Sequence, residues 1–349
     1  MTASTSTLTP ADFLSLPKVL LHEHVDGGLR PQTLLELCAQ RGISVPVSDA
    51  PALAQWMLNN ANSGSLVRYL EGFGLTVAAM GTPENCERVA FEAAEDALAD
   101  GCVLAEFRMA PLLLESQGMS GEAALEAMLA GLARSKLACG LIVCGMRMED
   151  SANTERAATL AARYASQGVI GFDLAGPERG FPPSLHARSI AIAREAGLGF
   201  TCHAGEADIG GRVLEAASLG ATRIGHGVLI ASDDAEGLAA ERMAQARELG
   251  LHFEVCPTSN VHTGAATSVA THPLKRMLDA GLSISVSTDN RLMSGVTMSG
   301  EMATVHRELS LDLTTLVALN RAGAQASFLP AAQRTTALAT IDTWLRARA

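Results

Sequence analysis

The stretch VLLHEHVDGG, residues 19–28, opens as an apolar run and ends in two histidines separated by one residue. Side chains two apart on a strand share a face, so His22 and His24 point the same way. Two imidazoles buried side by side in an apolar strand cost free energy unless a shared partner satisfies them. A cation is such a partner. The same figure, a short apolar run ending in a polar residue, recurs along the chain.

Strand candidates lie at residues 19–21 (running into His22), 102–107, 141–146, 169–174, 199–202, 223–225, 251–255 and 282–287. Between most of them sit Ala- and Glu-rich segments with apolar residues three and four apart, as at 83–100, 121–138, 151–167 and 233–249. Glycines mark many joins, among them Gly140, Gly168, Gly197, Gly250 and Gly281. Eight strands alternating with helices predict an α/β fold, a closed (β/α)8 TIM barrel of parallel strands. Residues 32–80 are too many for one crossover and predict extra helices over the C-terminal face of the barrel. The last fifty residues predict helices around its outside. Residues 1–349 read as one domain, with 1–14 as a flexible N-terminal segment.

Composition narrows the function classes. The formal net charge of −11 argues against nucleic acid or an anionic membrane as a partner. Seven cysteines are scattered singly without a Cys-x-x-Cys, which predicts reduced thiols and a cytoplasmic protein. The N-terminus carries neither a basic region nor an apolar run, so no signal peptide is read. No stretch has the ~18 uninterrupted apolar residues of a membrane span. Oligomeric state is not readable.

The polar residues at strand ends carry the chemistry. Besides His22 and His24, these are Asp173 in GFDLAGPE, His203 in TCHAGE with Glu206 three residues on, His226 in RIGHGV, and Asp289 in STDN. The carboxyl ends of barrel strands face one mouth, so these side chains converge. Any one of them alone reads more plainly as a hydrogen-bonded structural residue, and Glu206 as an acid at a helix N-terminus. Together, His22, His24, His203 and Asp289 give three imidazoles and a carboxylate, a donor set that suits zinc. Barrel hydrolases with two metals commonly bridge them with a lysine at a strand end. The only lysines, Lys18, Lys136 and Lys275, are not so placed, which predicts one Zn2+ per chain. His186, His252, His262, His272 and His306 lack the strand-end setting and read as structural. The zinc-deaminase design built on P-C-x-x-C is absent.

In this order, PKVLLHEHVDGGLRP, GFDLAGPE, TCHAGE, RIGHGV, CPTSN and STDN resemble the adenosine deaminase family of metal-dependent amidohydrolases, in the branch found in actinobacteria. The resemblance covers most of the chain. It implies a TIM barrel with one zinc at its mouth, held by His22, His24, His203 and Asp289. It implies that Glu206 protonates ring nitrogen 1 of the purine. His226 would orient the attacking water and help take its proton, with Asp289 beside it. Asp26 would hydrogen-bond the ribose 5′ hydroxyl, and the Gly176 N–H would meet ring nitrogen 3. Leu66, Tyr69, Leu70 and Phe73 would form an apolar lid. The implied activity is hydrolytic deamination of adenosine and 2′-deoxyadenosine to inosine and 2′-deoxyinosine, in purine salvage, with ammonia released.

One position departs from the family pattern. Asp289 is followed by Asn290 where a second acid is usual, and an amide there can donate to ring nitrogen 7. Arg291 follows directly and receives no role. By alternation Glu23 points away from the metal. Free adenine, or a modified adenosine of aminofutalosine or 6-alkylamino type, is the alternative substrate. Asp26 favours a nucleoside over the free base, because the family's adenine deaminases tend to carry the longer Glu. The lack of a basic cluster argues against AMP. Outside this activity stand a non-catalytic zinc-bearing nucleoside-binding barrel and a mononuclear amide or lactone hydrolase. Neither needs both Glu206 and His226 beside the metal.

Overall fold

The computed structural model describes residues 8–232 and 237–348, apart from the side chains of residues 67, 68 and 71. Eight strands pair side by side in sequence order, all parallel: β1 (Lys18–His24), β2 (Cys102–Met109), β3 (Cys139–Met146), β4 (Val169–Ala175), β5 (Gly199–Ala204), β6 (Arg223–His226), β7 (His252–Val255) and β8 (Ser283–Val286). These are the eight expected strands, and the architecture is a (β/α)8 TIM barrel.

The seam between β1 and β8 closes at the mouth. There the Asp289 N–H donates to His22 O at 2.9 Å and the His24 N–H to Asp289 O at 2.8 Å. Glu23 and Asp289 form the corresponding parallel bridge. Deeper in the seam, side chains take over the ladder, since a buried N–H needs a partner. Ser287 Oγ accepts from Leu21 N at 3.3 Å, and Asn320 Oδ1 from Val19 N at 2.8 Å.

Four helices at Pro31–Gln40, Ala50–Ala61, Leu66–Glu71 and Phe73–Ala79 fill the long first connection, as expected. The C-terminal helices Met298–Leu309, Leu313–Ala326 and Ala331–Arg346 pack on the outside. Two differences from expectation are local. Pro10–Ser15 is a helix within the stretch read as flexible, fixed by a Thr9–Asp12 capping box and by burial of Phe13; residues 1–7 lie outside the described residues. The helix expected over 233–249 is Ala239–Glu248, and residues 233–236 lie outside the described residues. Among the described residues, no helix is long and apolar enough to cross a membrane.

The barrel interior is charged below the mouth. Glu106 and Arg108 on β2, Asp173 on β4, Arg223 on β6 and Glu254 on β7 are all buried. Removing such charges from water is costly unless each is paired. Here each carboxylate meets a guanidinium: Arg108 with Asp173 at 2.8 Å and Glu254 at 2.5 Å, and Arg223 with Glu254 and Glu106 at 2.6 Å each.

Candidate active site

His22, His24, His203 and Asp289 meet at the mouth, each offering one ligand atom, and these atoms all lie within 4.8 Å of one another. His24 Nε2 faces His203 Nε2 at 3.2 Å. Asp289 Oδ1 lies 3.4 Å from His22 Nε2 and 3.5 Å from His24 Nε2. A tetrahedral ion with bonds of 2.0–2.1 Å separates its ligand atoms by about 3.3 Å. His22 Nε2 is buried and has no hydrogen-bond partner. An orphaned nitrogen aimed at this cluster is what a cation would satisfy, so the donor set fits one divalent ion. Gly225 on β6 makes room for it: a Cβ there would sit 2.9 Å from His22 Cε1.

The far sides of the His22 and His203 rings are fixed by the buried charges. Glu254 Oε2 accepts from His22 Nδ1 at 2.9 Å. Asp173 Oδ2 lies 2.9 Å from His203 Nδ1. Such carboxylate–histidine pairs set the tautomer that leaves Nε2 free for a metal. Burial raises the pKa of Glu254, but Arg108, Arg223 and the His22 ring prevail and hold it well below the usual range. Burial and Arg108 push His22 down to about 4, which leaves its ring neutral, as a ligand must be. Arg108 bridges both carboxylates and so connects the two imidazoles.

Glu206 and His226 flank the cluster, with His226 Nε2 3.6 Å from Glu206 Oε2. Thr263 donates to Glu206 Oε1 at 3.0 Å, leaving Oε2 toward the cavity. Burial pushes the Glu206 carboxyl above the usual range, against the pull of His226. That is the direction a general acid requires, since it favours the protonated carboxyl. Glu206 lies in a loop ahead of the helix Gly211–Ser218, so it is not that helix's N-terminal acid. The Glu178 carboxylate holds the loop. It accepts from the backbone N–H groups of Gly205, Glu206, Ala207 and Asp208 at 2.5, 2.9, 2.7 and 3.1 Å.

Two non-glycine site residues have left-handed backbones, His226 and Asp289, both at φ 61°. For a residue with a Cβ this conformation costs on the order of 1–2 kcal/mol. It occurs where the chain leaves β6 and β8.

The cavity above the cluster encloses about 280 Å³. All the expected substrate-binding residues line it: Asp26, Gly176, Asn290 and the lid residues Leu66, Tyr69, Leu70 and Phe73. The Tyr69 hydroxyl lies 3.0 Å from Ser294 Oγ, joining the helix Leu66–Glu71 to the short helix Arg291–Ser294. Asp26 Oδ1 and Asn290 Oδ1 are buried without a partner. Burial raises the Asp26 carboxyl to about 7. Gly27 lets Asn290 approach, since a Cβ there would lie 1.8 Å from Asn290 Oδ1. Among the described side chains lining this cavity, none belongs to Lys or Arg.

Several residues of the site were not singled out from sequence. Arg108 and Glu254 sit mid-strand in LAEFRM and LHFEV, where a charge within an apolar strand was the available signal. Glu178 ends GFDLAGPE, two residues past Gly176. Ser259, whose hydroxyl donates to Asp289 Oδ2 at 2.5 Å, lies in CPTSN. Glu23 does turn away from the cluster, toward Arg291 at 2.6 Å.

The family model described as adenosine deaminase matches residues 17–344. The chain is 43% identical over 300 residues to an adenosine deaminase of Mycobacterium marinum, covering 82% of this chain and 83% of that one. To the adenosine deaminase of Mycobacterium tuberculosis it is 41% identical over 348 residues, or 95% and 94% of the two chains. Among solved structures, an adenine deaminase from Arthrobacter aurescens superimposes with a TM-score of 0.85 at 25% identity, covering 95% of this chain and 99% of that one.

Proposed function

Because this chain belongs to the adenosine deaminase family and is a hydrolase acting on C–N bonds, we propose that it deaminates adenosine and 2′-deoxyadenosine with one zinc held by His22, His24, His203 and Asp289. One arrangement carries this reading: an acid and an imidazole, Glu206 and His226, stand together over a four-ligand cluster inside one apolar cavity. A zinc held by these residues would supply a nucleophile at neutral pH, because zinc lowers the pKa of its bound water to about 7.

The rest is the work of the chain. Glu206 gives its Oε2 proton to ring nitrogen 1 as oxygen attacks C6, so the ring accepts the electron pair without building a full negative charge. His226 fixes the attacking oxygen on the C6 side of the purine. The C6–N6 bond then breaks, and ammonia leaves. Over the turnover one hydrogen of the water leaves with ammonia, and the other replaces the proton that Glu206 gave to ring nitrogen 1.

Asp26 brings an unpartnered buried oxygen to the cavity, where a nucleoside can satisfy it. Asp26 is assigned to the 5′ hydroxyl, Gly176 N–H to nitrogen 3, and the Asn290 amide to nitrogen 7. Leu66, Tyr69, Leu70 and Phe73 cover the ring faces and exclude water. The cavity volume lies just below the ~300–1,000 Å³ of ligand pockets, which suits a small ligand such as a nucleoside. Nothing described in its lining would neutralise a phosphate.

An ultraviolet assay of the purified protein against adenosine, 2′-deoxyadenosine, adenine, AMP and 6-alkylamino nucleosides tests the proposal. Adenosine should outpace adenine and AMP by at least about 100-fold, the scale of losing buried hydrogen bonds to the sugar. Equal rates on adenine would remove Asp26 from its assigned role, and preference for another purine would replace the substrate.

A further inference from the structure

His272 lies outside every strand end, yet it connects to the catalytic centre through one side chain. The Leu274 backbone N–H donates to His272 Nδ1 at 3.0 Å. A peptide N–H can only donate, so that nitrogen holds a lone pair. Burial, followed by His226, pushes the His272 imidazolium down to about 3, so the ring is neutral. Its hydrogen is therefore on Nε2, which faces Asn260 Oδ1 at 3.2 Å. The other end of that amide, Asn260 Nδ2, faces His226 Nδ1 at 3.0 Å and can only donate. Reversing the amide would set two N–H donors against each other at His272. Asn260 is fully buried and His272 nearly so, so water does not substitute for either bond.

We infer that Asn260 and His272 are positioning residues that hold His226 as the Nε2–H tautomer, so that it meets the attacking oxygen as a hydrogen-bond donor. The sense of every bond in the relay is set by one backbone amide, Leu274 N–H, fourteen residues past Asn260. A ring whose Nδ1 accepts and whose Nε2 carries hydrogen has no lone pair for the water's proton. This replaces the expectation that His226 helps take that proton. What His226 donates to rests on the deaminase reading; the tautomer does not.

The test uses the full chain with 15N-labelled histidine, metal-free and zinc-loaded. Long-range 15N–1H spectra should show His226 with Nε2 protonated and Nδ1 bare, and a protonated Nδ1 would overturn the inference. Asn260→Asp offers a carboxylate that accepts from both rings and moves the His226 hydrogen to Nδ1. Its kcat should fall about 100-fold or more, the cost of losing one preorganised donor, with KM changed much less. An unchanged or higher kcat with the tautomer moved would show that His226 acts as a base. His272 gives a second route. His272→Gln can pass the bond from Leu274 N–H to Asn260 and should keep the wild-type tautomer, whereas His272→Leu should give a mixture. A pure Nε2–H form in His272→Leu would remove His272 from the relay. Wild-type protein inactive on every purine would sink the deaminase reading and leave the tautomer result standing.

Discussion

Arg291 donates its Nε–H to Glu23 Oε1 at 2.6 Å, joining the residue between the two histidines of β1 to the second residue after Asp289. Thr288 adds its hydroxyl to Glu23 Oε2 at 2.9 Å, and Asp96 pairs with Arg291 at 3.1 Å. The pair spans the seam at the height of the cluster, so it holds together the two segments that supply three of its four members.

Removing Arg291 alone leaves the buried Glu23 without its cation. Arg291→Met should lower unfolding free energy by about 3–5 kcal/mol, read by urea denaturation. The double variant Glu23→Met, Arg291→Met should recover most of that loss. If both variants are equally unstable, the packing of the arginine stem and not the ion pair is what matters.

Glu206→Gln keeps the shape of the acid but has no proton for nitrogen 1. Turnover should fall by about 10³-fold or more with metal content unchanged. Glu178→Gln weakens the clamp on the same loop and should lower kcat while Glu206 itself is intact. Near-normal turnover in Glu206→Gln would strike it from the mechanism.

Elemental analysis should find about one zinc per chain; two tightly bound ions would refute the single-metal design. Asp173→Asn and Glu254→Gln should each weaken zinc binding by about 10–100-fold in competition with a chelating dye. Arg108→Met should loosen it as well, since that guanidinium connects both carboxylates.

Glu301 supplies a pH dependence independent of the metal. It is buried, with Oε1 unpartnered, and burial raises its pKa to about 7 against the bond from Thr258 N. The folded state binds this proton more tightly than the unfolded chain does. Stability is therefore lost as pH rises from about 4.5 to about 7, by roughly 3 kcal/mol. Glu301→Gln should flatten that part of the Tm–pH curve and be the more stable protein at pH 8. Parallel curves for the two proteins would disprove this assignment.

Much of the fold was legible because strand residues alternate and barrel strands share a mouth. HEH, TCHAGE, RIGHGV and STDN mark strand ends by their polarity, and the structure gathers their side chains at one place. The partners that orient those side chains were not legible. Arg291 and His272 are defined by what they touch, Glu23 and Asn260, and one-dimensional spacing does not encode those contacts. Helix ends were also blurred, because apolar periodicity runs past the point where backbone bonding stops, as after Ala133.

The left-handed turns at His226 and Asp289 have a consequence for anyone seeking a hardier variant. Glycine adopts that backbone freely, so His226→Gly or Asp289→Gly would relax the main chain while deleting a functional side chain. A screen rewarding heat tolerance alone would drift toward such inert survivors. Selection for hardiness in this scaffold has to be coupled to turnover at every round.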